Sequence, residues 1–147
     1  MGIPEAGRVL AVDWGEIRIG LALSDASQTI ASPLGTLTRR RGKRFPMPPF
    51  LALVATHAPV GLVVGLPLMP EGGEGPSTLA ARDLSGRLGR RTGLPVELVD
   101  ERLTTARAHA VIREQDGSTR GRREEVDALA ATILLQHFLE TRRHARS

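Results

Sequence analysis

The chain has 147 residues, 41% of them hydrophobic, which is enough for one domain with its own core and too apolar for a disordered chain. It has no cysteine, which excludes disulfides, thiolate zinc sites and cysteine nucleophiles, and no apolar run approaches the roughly 20 residues that span a bilayer. The net charge of +4 favours a nucleic-acid partner only mildly. Because the first residues also lack the features of a secretory signal, we expect a soluble, cytoplasmic protein.

The N-terminal part of the chain predicts a meander of antiparallel strands. Arg8–Trp14 has the pattern of a buried strand, and the next two residues form a tight turn. Ile17–Ser24 alternates apolar residues on one face, and a further strand is expected at Ile30–Leu37. The segment RRRGKRFPMPP then predicts a basic loop, since glycine and proline interrupt it.

The rest of the chain predicts strands that alternate with helices. The expected elements are a helix near Phe50–His57, a strand at Gly61–Gly65, a helix at Ser77–Arg91, a strand at Val96–Asp100, and helices from Thr104 to about Arg113 and from Glu124 to about Thr141. No repeat or linker divides the chain. We therefore expect a single α/β domain over residues 1–147 with a mixed sheet.

Carboxylates stand at several positions where this layout expects apolar residues. Asp13 ends the first strand, and Glu101 follows the last one. Asp127 faces inward on the final helix, because the residues that share its face are Ala130, Ala131, Leu134 and Phe138. Each acid also has a structural explanation: a turn residue for Asp13, a solvated loop residue for Glu101, and a partner of the helix dipole for Asp127.

If these carboxylates converge, their mutual repulsion requires a cation. In a chain with no cysteine and only four histidines, oxygen ligands favour Mg²⁺ or Mn²⁺ over zinc. Such ions can activate water and stabilise the leaving oxygen of a phosphodiester, which indicates a nuclease. We then expect Asp127 to be buried beside Asp13 with no cationic side chain neutralising it. Serine or histidine catalysis is not expected, and His137 and Trp14 are interpreted as packing residues.

Basic residues fall into three clusters. Two of them are predicted to hold a nucleic-acid backbone, and the C-terminal one is predicted to be a solvated face. In chain order the clusters are Arg39, Arg40, Arg41, Lys43 and Arg44; then Arg120, Arg122 and Arg123; then Arg142, Arg143 and Arg146.

Four segments together resemble the YqgF family, nucleases of pre-16S ribosomal RNA related to RuvC-type Holliday junction resolvases. They are VLAVDWGEIRIGLALSD (9–25), VVGLPL (63–68), VDERLTTARA (99–108) and EVDALAATILLQHFLE (125–140). The resemblance implies a ribonuclease-H-like fold with a central five-stranded mixed sheet. It also implies catalytic roles for Asp13, Glu101 and Asp127.

Further residues take roles from the same resemblance. Gly15, Arg18, Gly20 and Asp25 belong to the first segment, and Arg18 is expected to contact a phosphate. Arg102, Thr104 and Thr105 are expected to contact the nucleic-acid backbone. Asp100 is the alternative ligand to Glu101, because adjacent strand residues point in opposite directions and only one of them can face the metal.

The expected function is a divalent-metal-dependent endonuclease that matures the 5′ end of pre-16S ribosomal RNA. One alternative is a resolvase of four-way DNA junctions, which needs a two-fold dimer for paired cuts. Another is a non-catalytic nucleic-acid-binding accessory factor. Whether the protein is a monomer or a homodimer is left open by the sequence.

Overall fold

The computed structural model describes residues 2–14, 18–39, 44–67, 71–100 and 123–146. Within these ranges the chain forms β1 (Val9–Trp14), β2 (Arg18–Ser24), β3 (Ala31–Thr38), α1 (Met47–His57), β4 (Gly61–Leu66), α2 (Pro76–Thr92), β5 (Val96–Asp100) and α3 (Arg123–Arg146). No helix in these ranges combines the length and the apolar character that a membrane crossing needs.

The strands form one mixed sheet in the order β3-β2-β1-β4-β5. β2 pairs antiparallel with both β1 and β3, whereas β4 pairs parallel with both β1 and β5. Every residue of β4 is buried, as expected for an uninterrupted apolar strand that is covered on both faces. The predicted antiparallel meander followed by parallel strands is confirmed.

Helices cover both faces of the sheet. On one side, here called the α1/α2 face, both helices pack on Leu10, Val12, Ile19, Leu21, Leu62 and Val64. On the other, here called the α3 face, the last helix packs on Val9, Ala11, Ala22 and Val63. Because neighbouring strand residues point to opposite faces, this division assigns a face to each remaining strand residue.

Most predicted elements agree with the structure to within a few residues, but two helices are longer than predicted. α1 begins at Met47 instead of near Phe50, because the first turn of a helix tolerates prolines that have no N–H to donate. α3 continues to Arg146 instead of ending near Thr141. The helix predicted from Thr104 lies outside the described residues.

The C-terminal end of α3 is attached to the N-terminal segment, so the prediction of a solvated face was wrong for Arg142. Its guanidinium donates to the Ile3 carbonyl at 2.7 Å and to Oε1 of Gln28 at 3.1 Å, and it lies 5.3 Å from the ring centre of Phe138. Arg143 is exposed, as predicted.

His137 is exposed, so its predicted packing role was also wrong. The buried stripe of α3 runs through Leu134, Leu135, Phe138 and Leu139. His137 lies one helical turn after Ile133, which is itself only partly buried, and therefore falls on the side of α3 away from this stripe.

Candidate catalytic site at the end of strand β1

Asp13 lies near the end of β1 on the α3 face. Along this strand Leu10 and Val12 pack in the α1/α2 cluster, whereas Val9 and Ala11 pack in the α3 cluster. Alternation therefore directs the side chain of Asp13 toward α3, where it is partly exposed. In the antiparallel pair, Asp13 stands opposite Gly20 of β2.

Gly20 is where the backbone of α3 meets the sheet. A Cβ at this position would overlap the carbonyl oxygen of Asp127 and would lie 3.2 Å from the amide nitrogen of Ala128. Only glycine permits so close an approach of two backbones. Because directly opposed residues of an antiparallel pair project from the same face, Asp13 and Asp127 lie around one point on that face.

The Asp127 carboxylate forms an ion pair that the sequence did not predict. Nε of Arg18 donates to Oδ2 of Asp127 at 3.1 Å, and the side chains are 20% and 31% exposed respectively. The expectation of a buried Asp127 without a cationic neighbour was therefore wrong. The reason is geometric: Arg18 lies two residues before Gly20, so it shares the face on which α3 packs.

Asp100, the alternative to Glu101, points away from Asp13. On β5, Val96 and Leu98 pack against the α1/α2 cluster, and Val99 packs against the α3 cluster. Alternation gives Asp100 the α1/α2 face, opposite to that of Asp13. Glu101 itself lies outside the described residues.

Several other predicted contact residues also lie outside the described residues: Arg40, Arg41, Lys43, Arg102, Thr104, Thr105, Arg120 and Arg122. Of those described, Arg44 is exposed and Arg123 begins α3. The proposed contacts of this set with nucleic acid therefore stay predictions.

Arg39 packs on Trp14 at the end of the α1/α2 face. Its guanidinium lies 4.3 Å from the centre of the indole, a cation–π contact. Trp14 in turn stacks on Phe45 with ring centres 5.8 Å apart, and Phe45 meets Phe50 edge to face. The packing role predicted for Trp14 is confirmed, although the ring is partly exposed. Sequence pattern alone did not indicate that the first arginine of the basic loop covers it.

Asp25, the acid that ends the first segment, has a structural role at the opposite end of β2 from Gly20. Its Oδ1 accepts from the amides of Thr29 and Ile30 at 2.8 and 3.1 Å, and its Oδ2 accepts from the Ser27 hydroxyl at 2.8 Å. These hydrogen bonds stabilise the ionised form and lower the pKa of Asp25. The residue holds the turn between β2 and β3.

The described carboxylates suit a hard divalent cation. Asp13 and Asp127 place carboxylate oxygens on one face of the sheet, and both side chains are partly exposed. Within the described ranges no group of three acidic, histidine or cysteine side chains is close enough to hold a metal. A complete set of ligands therefore needs Glu101 or water in addition to these two acids.

A model of the RuvX family, described as "Holliday junction resolvase", matches residues 7–141, a range that includes every residue of this site. The chain belongs to the RuvX family. This confirms the resemblance expected from the four segments, since RuvX and YqgF denote the same family.

Relatives of this RuvX chain match over most of their length. A protein of Koribacter versatilis (strain Ellin345), named "Putative pre-16S rRNA nuclease", is 41% identical over 136 residues, which cover 92% of this chain and 88% of that protein. A protein of Rhodopirellula baltica with the same name is 37% identical over 146 residues, which cover 97% and 82%. The RuvX family is accordingly a family of nucleases, which hydrolyse phosphodiester bonds.

Solved structures confirm the ribonuclease-H-like fold. RuvC of T. thermophilus in complex with a Holliday junction substrate superposes with a TM-score of 0.55 at 18% identity, covering 94% of this chain and 96% of that one. The yeast mitochondrial Holliday junction resolvase Ydc2 superposes with a TM-score of 0.58 at 9% identity, covering 99% and 82%. At these identities the likeness concerns the fold alone.

Proposed function

We propose that this RuvX protein is a divalent-metal-dependent endonuclease of the cytoplasm that matures the 5′ end of pre-16S ribosomal RNA. One observation carries the proposal: Asp13 and Asp127 share the α3 face around Gly20, at the end of β1. The names of the relatives support the substrate.

Two carboxylates on one face repel each other and favour the binding of a cation between them. Asp13 and Asp127 would hold Mg²⁺ or Mn²⁺ with Glu101. When bound, such an ion supplies an activated water and stabilises the leaving oxygen of the phosphodiester. The chain provides the rigid placement of the acids, since one is fixed in the β1 ladder and the other is fixed by the contact of its backbone with Gly20. Arg18, which pairs with the same carboxylate, would contact a phosphate of the substrate.

The third ligand can be identified by a pair of substitutions at adjacent positions. We expect Glu101→Gln to reduce cleavage at least a hundredfold, as removal of one metal ligand should. Asp100→Asn should keep near-normal activity, because Asp100 faces the side of the sheet opposite to Asp13. The reverse result would assign the ligand to Asp100.

The function is tested by cleavage of two substrates, a pre-16S RNA with its 5′ leader and a four-way DNA junction of matched length. We expect manganese- or magnesium-dependent cleavage of the RNA and its loss in Asp13→Asn, because the amide keeps the shape of the side chain and removes its charge. Asp83→Asn is the matched control, since Asp83 is an exposed acid on α2. Activity retained in Asp13→Asn would contradict the assignment of the site.

The second candidate function is junction resolution, and the description of the RuvX family favours it. A resolvase makes paired cuts related by two-fold symmetry, so it requires a stable dimer. Symmetric cleavage of the DNA junction, together with a dimeric mass in solution, would show that the substrate is branched DNA and not the RNA proposed above. Binding of either substrate without cleavage under any metal would instead indicate an accessory factor.

A further inference from the structure

The ion pair between Arg18 and Asp127 joins a cation to a carboxylate that the proposed function assigns to a metal. Both partners are held in place by the fold. Arg18 opens β2 and pairs with Thr38 of β3, and the backbone of Asp127 rests on Gly20. With side chains 20% and 31% exposed, the pair is shielded more than a contact between two long surface side chains.

We propose that Arg18 is a positioning residue that competes with the divalent cation for the Asp127 carboxylate and thereby sets the metal affinity of the site. The inference rests on the proposed function. It adds a named residue that limits how tightly the metal binds.

The competition follows from charge and distance. Nε of Arg18 occupies a position 3.1 Å from Oδ2 of Asp127, so a divalent cation on this carboxylate is a close neighbour of the guanidinium. Like charges that close, at a partly exposed site, change a binding constant by on the order of tenfold. A cation that binds through Oδ2 would also have to displace the hydrogen bond from Nε, whereas one that binds through Oδ1 would meet only the charge of the guanidinium.

The positioning role follows from where the guanidinium lies. Arg18 and Gly20 are on the same face of β2, so the hydrogen bond draws the Asp127 carboxylate toward the strand that pairs with β1. The carboxylate is thereby held against β2, on the face of the sheet that also carries Asp13. The contribution of the charge can be measured separately, because lysine at position 18 keeps the positive charge and glutamine removes it.

The test measures Mn²⁺ affinity of the full chain by isothermal titration, with the Mn²⁺-induced shift in Tm as a second readout. We expect Arg18→Gln to bind Mn²⁺ about tenfold more tightly than the wild type. Arg18→Lys should stay within about twofold, because the charge remains. Arg82→Gln is the matched control: it removes the exposed ion pair with Glu74, whose atoms are 2.6 Å apart, and should leave Mn²⁺ affinity unchanged.

Arg18→Met is a second neutral variant in case the glutamine variant does not fold, because it keeps an apolar stem against α3. Unchanged or weaker Mn²⁺ affinity in a folded neutral variant would overturn the inference. If Asp127→Asn abolishes Mn²⁺ binding while Arg18→Gln leaves it unchanged, this inference fails and the proposed function stands. A wild type that binds no Mn²⁺ and cleaves nothing would overturn both.

Discussion

Replacing Gly20 by alanine tests whether close packing of α3 on β2 builds the site. The new Cβ would overlap the carbonyl oxygen of Asp127 and lie 3.2 Å from the amide nitrogen of Ala128. Both are backbone atoms of a helix whose buried stripe packs on the sheet, so they cannot move aside as the tip of a flexible side chain would. The helix itself has to shift.

The expected cost follows from these contacts. Forcing one extra carbon into a packed interface costs about 1–3 kcal/mol, and a clash with backbone belongs at the upper end of that range. Removing a glycine from a strand returns about 0.5–1 kcal/mol of chain entropy. The free energy of unfolding should therefore fall by about 2 kcal/mol. For a chain of this size that corresponds to a loss of roughly 4–8 °C in Tm.

Gly20→Ala should lower both stability and cleavage activity, although no acid is altered. Thermal and denaturant unfolding measure the loss of stability. Because a displacement of about 1 Å in a catalytic group can cost roughly a hundredfold in rate, we expect cleavage to fall by about that factor.

Gly86→Ala is the control for the Gly20 substitution. Gly86 lies in α2, and a Cβ there meets only the flexible side chain of Arg90, at 3.2 Å from Nη1. The same substitution should there stabilise the protein by about 0.5–1 kcal/mol. A Gly20→Ala protein with wild-type Tm and wild-type activity would refute the argument that this contact positions Asp127.

Three further predictions concern single side chains. Asp127→Asn should abolish the Mn²⁺-induced rise in Tm and, because its ion pair with Arg18 is partly exposed, should lower stability without metal by no more than about 1 kcal/mol; a metal-induced rise that survives would make Asp127 structural. Asp25 has a lowered pKa in the folded state, so its hydrogen bonds stabilise the fold above the ordinary carboxyl range near pH 4 and lose this effect as the pH falls through the lowered value. Asp25→Asn should therefore lower Tm at pH 7, and the difference from the wild type should shrink as the pH falls through the lowered pKa of Asp25; a difference that does not depend on pH would contradict the cause given for the shift. Arg142→Ala should cost about 1–2 kcal/mol and speed amide exchange in the N-terminal segment, whereas Arg143→Ala at the exposed neighbouring position should change stability by less than about 0.5 kcal/mol; equal effects of the two would exclude the attachment.

The sequence predicted the sheet well because its signals are local and periodic. An alternating strand, two buried apolar strands and the glycine and proline between them limit the possible topologies. It failed where a local rule had an exception, as at the start of α1, where prolines that usually end a helix occupy its first turn. The C-terminal turns of α3 were missed for a different reason. Their support comes from contacts with the N-terminal segment, which no local pattern encodes.

For the candidate site, too, the sequence predicted the local features and missed the long-range contacts. Helical spacing predicted the inward face of α3 correctly, because Ala130, Ala131, Leu134 and Phe138 are all buried, but Asp127 itself is partly exposed. The partner of Asp127 could not be predicted, because Arg18 lies 109 residues earlier in the chain. Only the three-dimensional packing of the last helix on the second strand brings the two together. A possible signal was the placement of Arg18 and Gly20 two residues apart on one strand, which gives both the same face.

The two faces of the sheet carry side chains of different size, and this difference explains why α3 comes closest to the sheet at Gly20, beside the candidate site. The strands present mainly leucine and isoleucine to α1 and α2, together with Val12 and Val64, but they present only alanine and valine to the apolar cluster under α3, with Gly20 beside it. Small side chains let a helix backbone come close to a strand, and only where that happens can an acid in the helix's early turns reach the level of a strand carboxylate. On the α1/α2 face the same acid would be held farther from the sheet by the larger side chains. Substitution of Gly20 therefore tests the geometry more directly than substitution of either acid, because it changes the spacing between the acids and leaves their chemistry intact.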